Sequence, residues 1–293
     1  GDAIDVPCDD PAPYADSARP PLRPAVLAAA LTPPAGWWRE VRVVGQTRST
    51  NQDVAARARA GADEGLVVVA ESQTAGRGRR DRTWVAPPRA GLTFSVLLRP
   101  GAAVPAERWG WLPLLSGVAL AETLTELAAV PAGLKWPNDV LVGDAKCAGI
   151  LVEVVGDAVV VGAGVNVTTR RGELPVAEAT SLALAGAVCT DRETLLAGAL
   201  RALARRFVQW RDAAGDPRAC GLAGAYERLC ATLGRRVLVT LPDGARRVGI
   251  ATGVDADGRL VVDGAPIAAG DVVHVRRAGP GAGPGAGGGV SGR

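Results

Sequence analysis

The spacing of apolar residues switches between helical and strand-like patterns along the chain, and the switches outline its elements. "STNQDVAARARAG" reads as a helix behind a Ser49/Thr50 cap and before a Gly61 stop. "GLVVVAE" (65–71) and "GLTFSVLLR" (91–99) predict strands that flank an arginine-rich loop. "WGWLPLLSGVALAETLTEL" carries apolar residues at helical spacing and predicts a buried helix. Between 139 and 167, the runs "DVLV", "KCAGILVEVV" and "AVVVGAGVNV" are separated by Gly143-Asp144 and Gly156-Asp157, good hairpin chemistry. "TDRETLLAGALRALARRFVQW" opens with a Thr190/Glu193 capping box and carries the stripe Leu196, Leu200, Leu203, Phe207 and Trp210, which predicts a second long helix. A shorter helix is expected near 219–232. Beyond it, short Val-rich runs between Asp-Gly, Gly-Arg and Gly-Asp turns predict a small β-barrel of about five strands.

The two ends are different. Residues 1–36 are rich in Pro and Ala and predict a loose arm with at most one short helix, around 24–31. That arm is too short for a winged-helix DNA-binding domain. Residues 278–293 are low-complexity Gly/Pro sequence and predict a disordered tail.

Composition narrows the function more than the fold. A chain of 293 residues, 48% hydrophobic and 22% charged, fits a soluble protein with one large domain or a large and a small one. No apolar run approaches the roughly 18 residues that would span a bilayer, and no signal peptide is evident, so no membrane partner is expected. The 5 cysteines form neither CxxC pairs nor zinc spacings, which points to reduced thiols in the cytoplasm. The single histidine, His274, argues against histidine triads and His-ligated metals. With 33 basic against 30 acidic residues, the chain lacks the broad basic footprint that nucleic acid requires.

Four stretches carry polar residues that the fold alone does not demand. "TRSTNQD" places Ser49, Thr50 and Asn51 at a helix N-terminus, where they either cap the helix or hydrogen-bond a ligand. "TAGRGRRDRTW" sets Arg77, Arg79, Arg80 and Arg82 among Gly76 and Gly78, so that arginine forks and backbone amides can approach an anion; a solvated loop is the plainer reading. "LKWPNDVLV" puts Lys135, Asn138 and Asp139 at the mouth of a strand, or simply makes a turn. In "KCAGILVE", Lys146 either snorkels to solvent or supplies a fixed charge inside a site. Cys147 has no histidine nearby in sequence and is a poor nucleophile candidate.

Taken together, these stretches resemble the biotin–protein ligases, also called biotin–acetyl-CoA-carboxylase ligases. The likeness covers about residues 37–277 and rests on "STN" (49–51), "QTAGRGRR" (73–80), "KWPND" (135–139), "KCAGILVE" (146–153), "GAGVNV" (162–167) and "ATSL" (179–182). It implies an α+β fold: a class II aminoacyl-tRNA-synthetase-like catalytic domain (37–231) with a mixed, mostly antiparallel sheet, then an SH3-like barrel (232–277). It also implies a non-regulatory ligase without the DNA-binding domain, which converts biotin and ATP to biotinyl-5′-adenylate. The biotinyl group then passes to one lysine of a biotin carboxyl carrier domain of acetyl/acyl-CoA carboxylase or pyruvate carboxylase.

By the same resemblance, Ser49, Thr50, Asn51, Gln73, Arg77, Gly78, Arg79, Lys146 and Gly149 bind biotin. Arg77, Arg79, Arg80, Trp84, Lys135, Asn138, Lys146 and Asn166 serve ATP and the adenylate. Lys146, Arg79 and Asp139 carry the catalysis, with Asp139 also a candidate ligand for Mg²⁺. The arginine loop is expected to act as a lid over the intermediate. Asp81 stands where the family loop has glycine and is expected to face solvent, paired loosely with Arg80 or Arg82. The nearest rival is a lipoate–protein ligase. A biotin-binding protein without activity is disfavoured because Lys146 and the arginine loop are both present, and a repressor because the DNA-binding domain is missing.

Overall fold

The computed structural model describes residues 18–275. The Gly/Pro tail, Cys8 and the first part of the expected arm lie outside the described residues. A seven-stranded sheet forms the centre, in the order β1-β2-β3-β7-β6-β5-β4. Its strands are β1 (Glu40–Val44), β2 (Leu66–Ala70), β3 (Gly91–Leu98), β4 (Ala132–Lys135), β5 (Asp139–Val142), β6 (Ala145–Val155) and β7 (Ala158–Asn166). β1 and β2 run parallel, and every other pairing is antiparallel. Gly143 and Gly156, both at φ 62°, turn the two predicted hairpins.

Five helices cover the sheet: α1 (Pro24–Leu31), α2 (Thr50–Arg59), α3 (Trp111–Ala128), α4 (Arg192–Asp212) and α5 (Leu222–Leu229). Alternation along β2 explains why both faces need cover. Val67 and Val69 point into the large core with α3 and α4, whereas Leu66 and Val68 join Val54, Ala55 and Ala58 of α2. A strand buried on both faces reads as an unbroken apolar run, as "LVVVA" does.

Two expectations need correction. The described part of the arm is docked, not loose, because Leu22, Leu27 and Leu31 are buried in the core. Arg19 bonds Glu173 and the Thr168 carbonyl, and Arg23 bonds Glu193. The α4 capping box does not form either. Asp191 is the N-cap, accepting from Thr194 N at 2.8 Å, while Glu193 is drawn away by Arg23.

The last 40 or so described residues form the predicted five-stranded sheet, antiparallel throughout, in the order β11-β10-β9-β8-β12. Its strands are β8 (Arg236–Thr240), β9 (Arg246–Val254), β10 (Leu260–Val262), β11 (Ala265–Ile267) and β12 (Asp271–His274). The β9–β10 turn seats on the main body: Trp111 Nε1 donates to the Ala256 carbonyl at 3.0 Å and Trp136 Nε1 to the Gly258 carbonyl at 3.1 Å. Gly110 permits the approach, since a Cβ there would overlap the Asp257 carbonyl. Among the described residues no helix is long and apolar enough to cross a membrane.

Candidate active site

A cleft of about 720 Å³, counting space open to solvent, lies where α2, the arginine loop, β6 and β7 meet. Its first wall starts at the head of α2. Ser49 is the N-cap residue, but its side chain makes no capping bond. The Gln73 side chain does that work from across the cleft, its Oε1 accepting from Thr50 N at 2.9 Å. The hydroxyls of Thr50 and Ser95 lie 2.7 Å apart, and Ser95 donates to Asn51 Oδ1 at 2.6 Å. Asn51 Nδ2 donates to Glu153 Oε2 at 2.8 Å, and Arg77 donates to Glu153 Oε1 at 2.8 Å. Gly162 makes room for this network, because a Cβ there would overlap Asn51 Oδ1.

The arginine loop is a small hairpin. Trp84 N donates to the Gly76 carbonyl at 2.9 Å, Arg77 pairs with Thr83, and Gly78 N donates to the Arg82 carbonyl at 2.6 Å. Arg80 and Asp81 form its tip in the left-handed region, at φ 52° and 59°. Asp81 is exposed, as expected, but the expected partners are engaged elsewhere: Arg80 and Arg82 both bond Asp271 of the second sheet, at 3.0 and 2.6 Å. Arg79 reaches the Gly270 carbonyl at 3.4 Å, and burial, the largest influence, holds its pKa below the ordinary value. The Trp84 ring lies on Gly149 and Gly164, where a Cβ on Gly164 would overlap it, and its indole N–H is buried without a partner.

The cationic end is built from β5 and β6. Lys146 Nζ stands 2.7 Å from Asp139 Oδ1. The Lys146 backbone is clamped by the "ATSL" segment, with Lys146 N donating to the Glu178 carbonyl and Thr180 N to the Lys146 carbonyl, both at 2.8 Å. Asn138 donates to the Ile150 carbonyl at 2.7 Å, which fixes the turn after Pro137. Cys147 is fully buried, and burial raises its thiol to about 12, so it stays protonated and is no nucleophile. His274 lies outside the cleft, lowered to about 4 by burial first and then by Lys135 and Arg235.

The cleft therefore gathers Ser49, Thr50, Asn51, Gln73, Arg77, Gly78, Arg79, Trp84, Asn138, Asp139, Lys146 and Gly149. Three anticipated residues do not line it. Arg80 is spent on Asp271 and the Thr240 carbonyl, Asn166 donates to the Thr180 carbonyl at 3.0 Å, and Lys135 sits beside His274. Sequence reasoning missed Ser95, Glu153, Asp271 and the pairing of Gly162 with Asn51. Asp271 is separated by some 190 residues from the arginines it binds, so no local pattern reveals it. A buried serine in the apolar strand "GLTFSVLL" was the one available signal for Ser95.

A model of the Biotin/lipoate A/B protein ligase family matches residues 43–167, and one of the Biotin protein ligase C terminal domain matches 232–275. A biotin–[acetyl-CoA-carboxylase] ligase from Mycobacterium tuberculosis is 45% identical over 269 residues, which cover 89% of this chain and 98% of that protein. The chain belongs to the biotin protein ligase family. A biotin–[acetyl-CoA-carboxylase] ligase from Paracoccus denitrificans is 33% identical, covering 76% of this chain and 93% of that one. The biotin protein ligase from Aquifex aeolicus, solved in complex with biotin and ATP, superposes with a TM-score of 0.68 at 27% identity, over 82% of this chain and all of that one. The cleft of this chain has one polar, uncharged end and one cationic end.

Proposed function

We propose that this chain activates biotin with ATP as biotinyl-5′-adenylate and transfers the biotinyl group to one lysine of a biotin carboxyl carrier domain. The observation that carries the reading is the two-ended cleft. Thr50, Asn51 and Gln73 form a hydrogen-bonding end suited to a ureido ring, and Lys146, Arg77 and Arg79 form a cationic end suited to a carboxylate meeting a phosphate. Gly149, Gly162 and Gly164 make room on the sheet between them for Lys146, Asn51 and the Trp84 ring.

In the first step the biotin carboxylate attacks the α-phosphorus, and the bond to the β-phosphate breaks as pyrophosphate leaves. No protein nucleophile takes part, so the chemistry rests on holding two anions together and stabilising the charge that develops. Lys146 bridges the carboxyl oxygen and the α-phosphate, while Arg77, Gly78 and Arg79 cover them from the hairpin. Trp84 and Asn138 face the nucleotide. Arg80, Asn166 and Lys135 act from behind, holding the hairpin, the "ATSL" segment and the edge of the sheet. In the second step the acceptor lysine's amine attacks the acyl carbon, AMP departs, and Asp139 takes the proton.

A Mg²⁺ accompanying ATP would ask for only one or two protein carboxylates, and Asp139, paired with Lys146 in the cleft, is the one that could help hold it; it would neutralise phosphate charge as pyrophosphate leaves. The carrier domain is that of an acetyl/acyl-CoA carboxylase or of pyruvate carboxylase, in the cytoplasm. Mass spectrometry of an isolated carrier domain after incubation with this protein, biotin and MgATP tests the reading. One biotinyl group on one lysine is expected; an unmodified carrier, or equal modification with lipoate, overturns it.

A further inference from the structure

We infer that Glu153 is a positioning residue for the biotin end of the cleft: its carboxylate fixes the direction of the hydrogen-bond chain there and holds Arg77 at the cleft's rim. This inference rests on the proposed biotin reading and names the group that tunes it. Glu153 comes from β6, two residues beyond Leu151, and does not itself line the cleft. Its two oxygens divide their work, one accepting from Asn51 Nδ2 and the other from Arg77, each at 2.8 Å.

An ionised carboxylate only accepts hydrogen bonds, so it fixes which end of the Asn51 amide faces it. Nδ2 must turn to Glu153, and Oδ1 is left to accept from Ser95 at 2.6 Å. With its only proton spent on Asn51, Ser95 accepts from the Thr50 hydroxyl at 2.7 Å, and Gln73 Oε1, 3.2 Å from the same hydroxyl, also faces it as an acceptor. Thr50 thereby presents a lone pair rather than a proton to the cleft, the polarity that a ring N–H requires. Gln73 Oε1, held by Thr50 N, keeps the same sense. The Leu151 carbonyl, 3.4 Å from Nδ2, is only a long second acceptor, so without the carboxylate the amide is held far less firmly and the Asn51–Ser95 bond can reverse.

The same group links the two ends of the site. Arg77 gives Glu153 a bond through one nitrogen only, so its remaining donors stay available to an anion. Fixing the guanidinium beforehand lowers the entropy lost when the anionic part of the ligand arrives. The Arg77 side chain is 45% exposed and that of Glu153 26%, so the pair is open to screening by salt.

The test measures biotin-dependent ATP–pyrophosphate exchange in wild type, Glu153→Gln, Arg77→Gln and the double variant, at low and high salt. The wild type must exchange; if it does not, the biotin reading fails rather than this inference. Glu153→Gln, which can offer either a donor or an acceptor to Asn51, is expected to raise the biotin KM about tenfold, with kcat changed less than about threefold. The double variant should be less than additive, because one contact is shared. The wild-type KM should rise with salt, and that of Glu153→Gln should rise less steeply, because one salt-sensitive pair is gone. A merely structural role for Glu153 would lower thermal stability, move kcat and KM together, add fully to Arg77→Gln and leave the salt dependence in place. That outcome, or an unchanged biotin KM in Glu153→Gln, overturns the inference. Should Glu153→Gln fail to fold, Ser95→Ala decides, since it breaks the same chain one bond further on: the inference requires the biotin KM to rise with kcat little changed, and an unchanged KM overturns it.

Discussion

Replacing Lys146 with alanine separates charge from packing at the centre of the cleft. The Lys146–Asp139 pair is 2.7 Å apart, with side chains 36% and 21% exposed. A half-solvated pair of this kind contributes at most about 1 kcal/mol to folding, so Lys146→Ala should lower the melting temperature by only a few degrees. Catalysis should suffer far more. A preorganised charge at the developing transition state is worth about 3–4 kcal/mol, or between two and three decades of rate. The loss also leaves the Asp139 carboxylate uncompensated beside two incoming anions. At an effective dielectric near 20, like unit charges about 4 Å apart repel by about 4 kcal/mol, a value that the open side of the cleft reduces. Adding Asp139→Asn to Lys146→Ala removes this repulsion and should recover about tenfold, roughly 1.4 kcal/mol. Biotin-dependent pyrophosphate exchange reads the adenylation step alone, without the carrier domain. Lys146→Ala retaining more than about a tenth of wild-type exchange would remove Lys146 from the transition state. A double variant no faster than the single would show that Asp139 does not impose the electrostatic cost.

His274 is neutral in the fold, its pKa lowered from 6.5 to about 4, so the unfolded chain takes up a proton that the folded one refuses. Its contribution is complete above pH 6.5 and is lost as pH falls through about 4; urea titrations should show that His274→Gln has a shallower loss across that window. Cys147, raised from 9.0 to about 12, has the opposite sign: stability should fall as pH rises through that interval, and less so in Cys147→Ala. Asp81→Gly relieves a left-handed backbone at φ 59°, worth about 1 kcal/mol to the ordered hairpin, so adenylate release should slow by up to about fivefold. Faster release from Asp81→Gly would mean that Asp81 itself holds the hairpin shut.

The central elements were legible wherever a long stretch kept one period. α3 and α4 carry enough apolar positions to reveal a face, and β6 and β7 are bounded by the glycine turns that reverse them. β1 and β4 were overlooked, because five residues that alternate Val with charge and four that read "AGLK" are too short for periodicity to emerge. At the site, motifs revealed the residues that face the ligand and hid those that hold them. The capping box shows the limit. Thr190 and Glu193 have the right spacing, yet Arg23, 170 residues away, takes the glutamate, and Asp191 caps instead. Tertiary partners of that kind leave no trace in local spacing. The same holds for Glu153, which lies inside a recognised motif but has a role defined by Asn51, about 100 residues earlier.

What unites the site is that its cations are engaged before any ligand arrives. Lys146 has Asp139, Arg77 has Glu153, and Arg80 and Arg82 share Asp271. Arg77, Arg79, Arg82 and Lys146 line one cleft, and left unpaired they would repel one another and hold the hairpin open; Arg79 is the one that no carboxylate meets among the described residues, bonding the Gly270 carbonyl instead. Internal carboxylates reduce that cost and set where Lys146, Arg77 and Arg82 wait. Their attachment points are informative: Asp139 and Glu153 belong to the central sheet, whereas Asp271 belongs to the second sheet. The hairpin is thus pinned at its base by the catalytic sheet and at its tip by the second one. An anionic ligand entering this cleft exchanges partners instead of neutralising bare charge, so its net electrostatic gain is modest and its geometry is exacting. The second sheet, through Asp271, takes part in that exchange directly. Asp271→Asn, far from the Lys146 chemistry in sequence, should therefore weaken ATP and biotin together, whereas Glu153→Gln should weaken biotin first. A steady-state comparison of the two variants, with each substrate varied in turn, separates the tip of the hairpin from its base. Identical patterns in both would mean that the hairpin moves as one rigid piece.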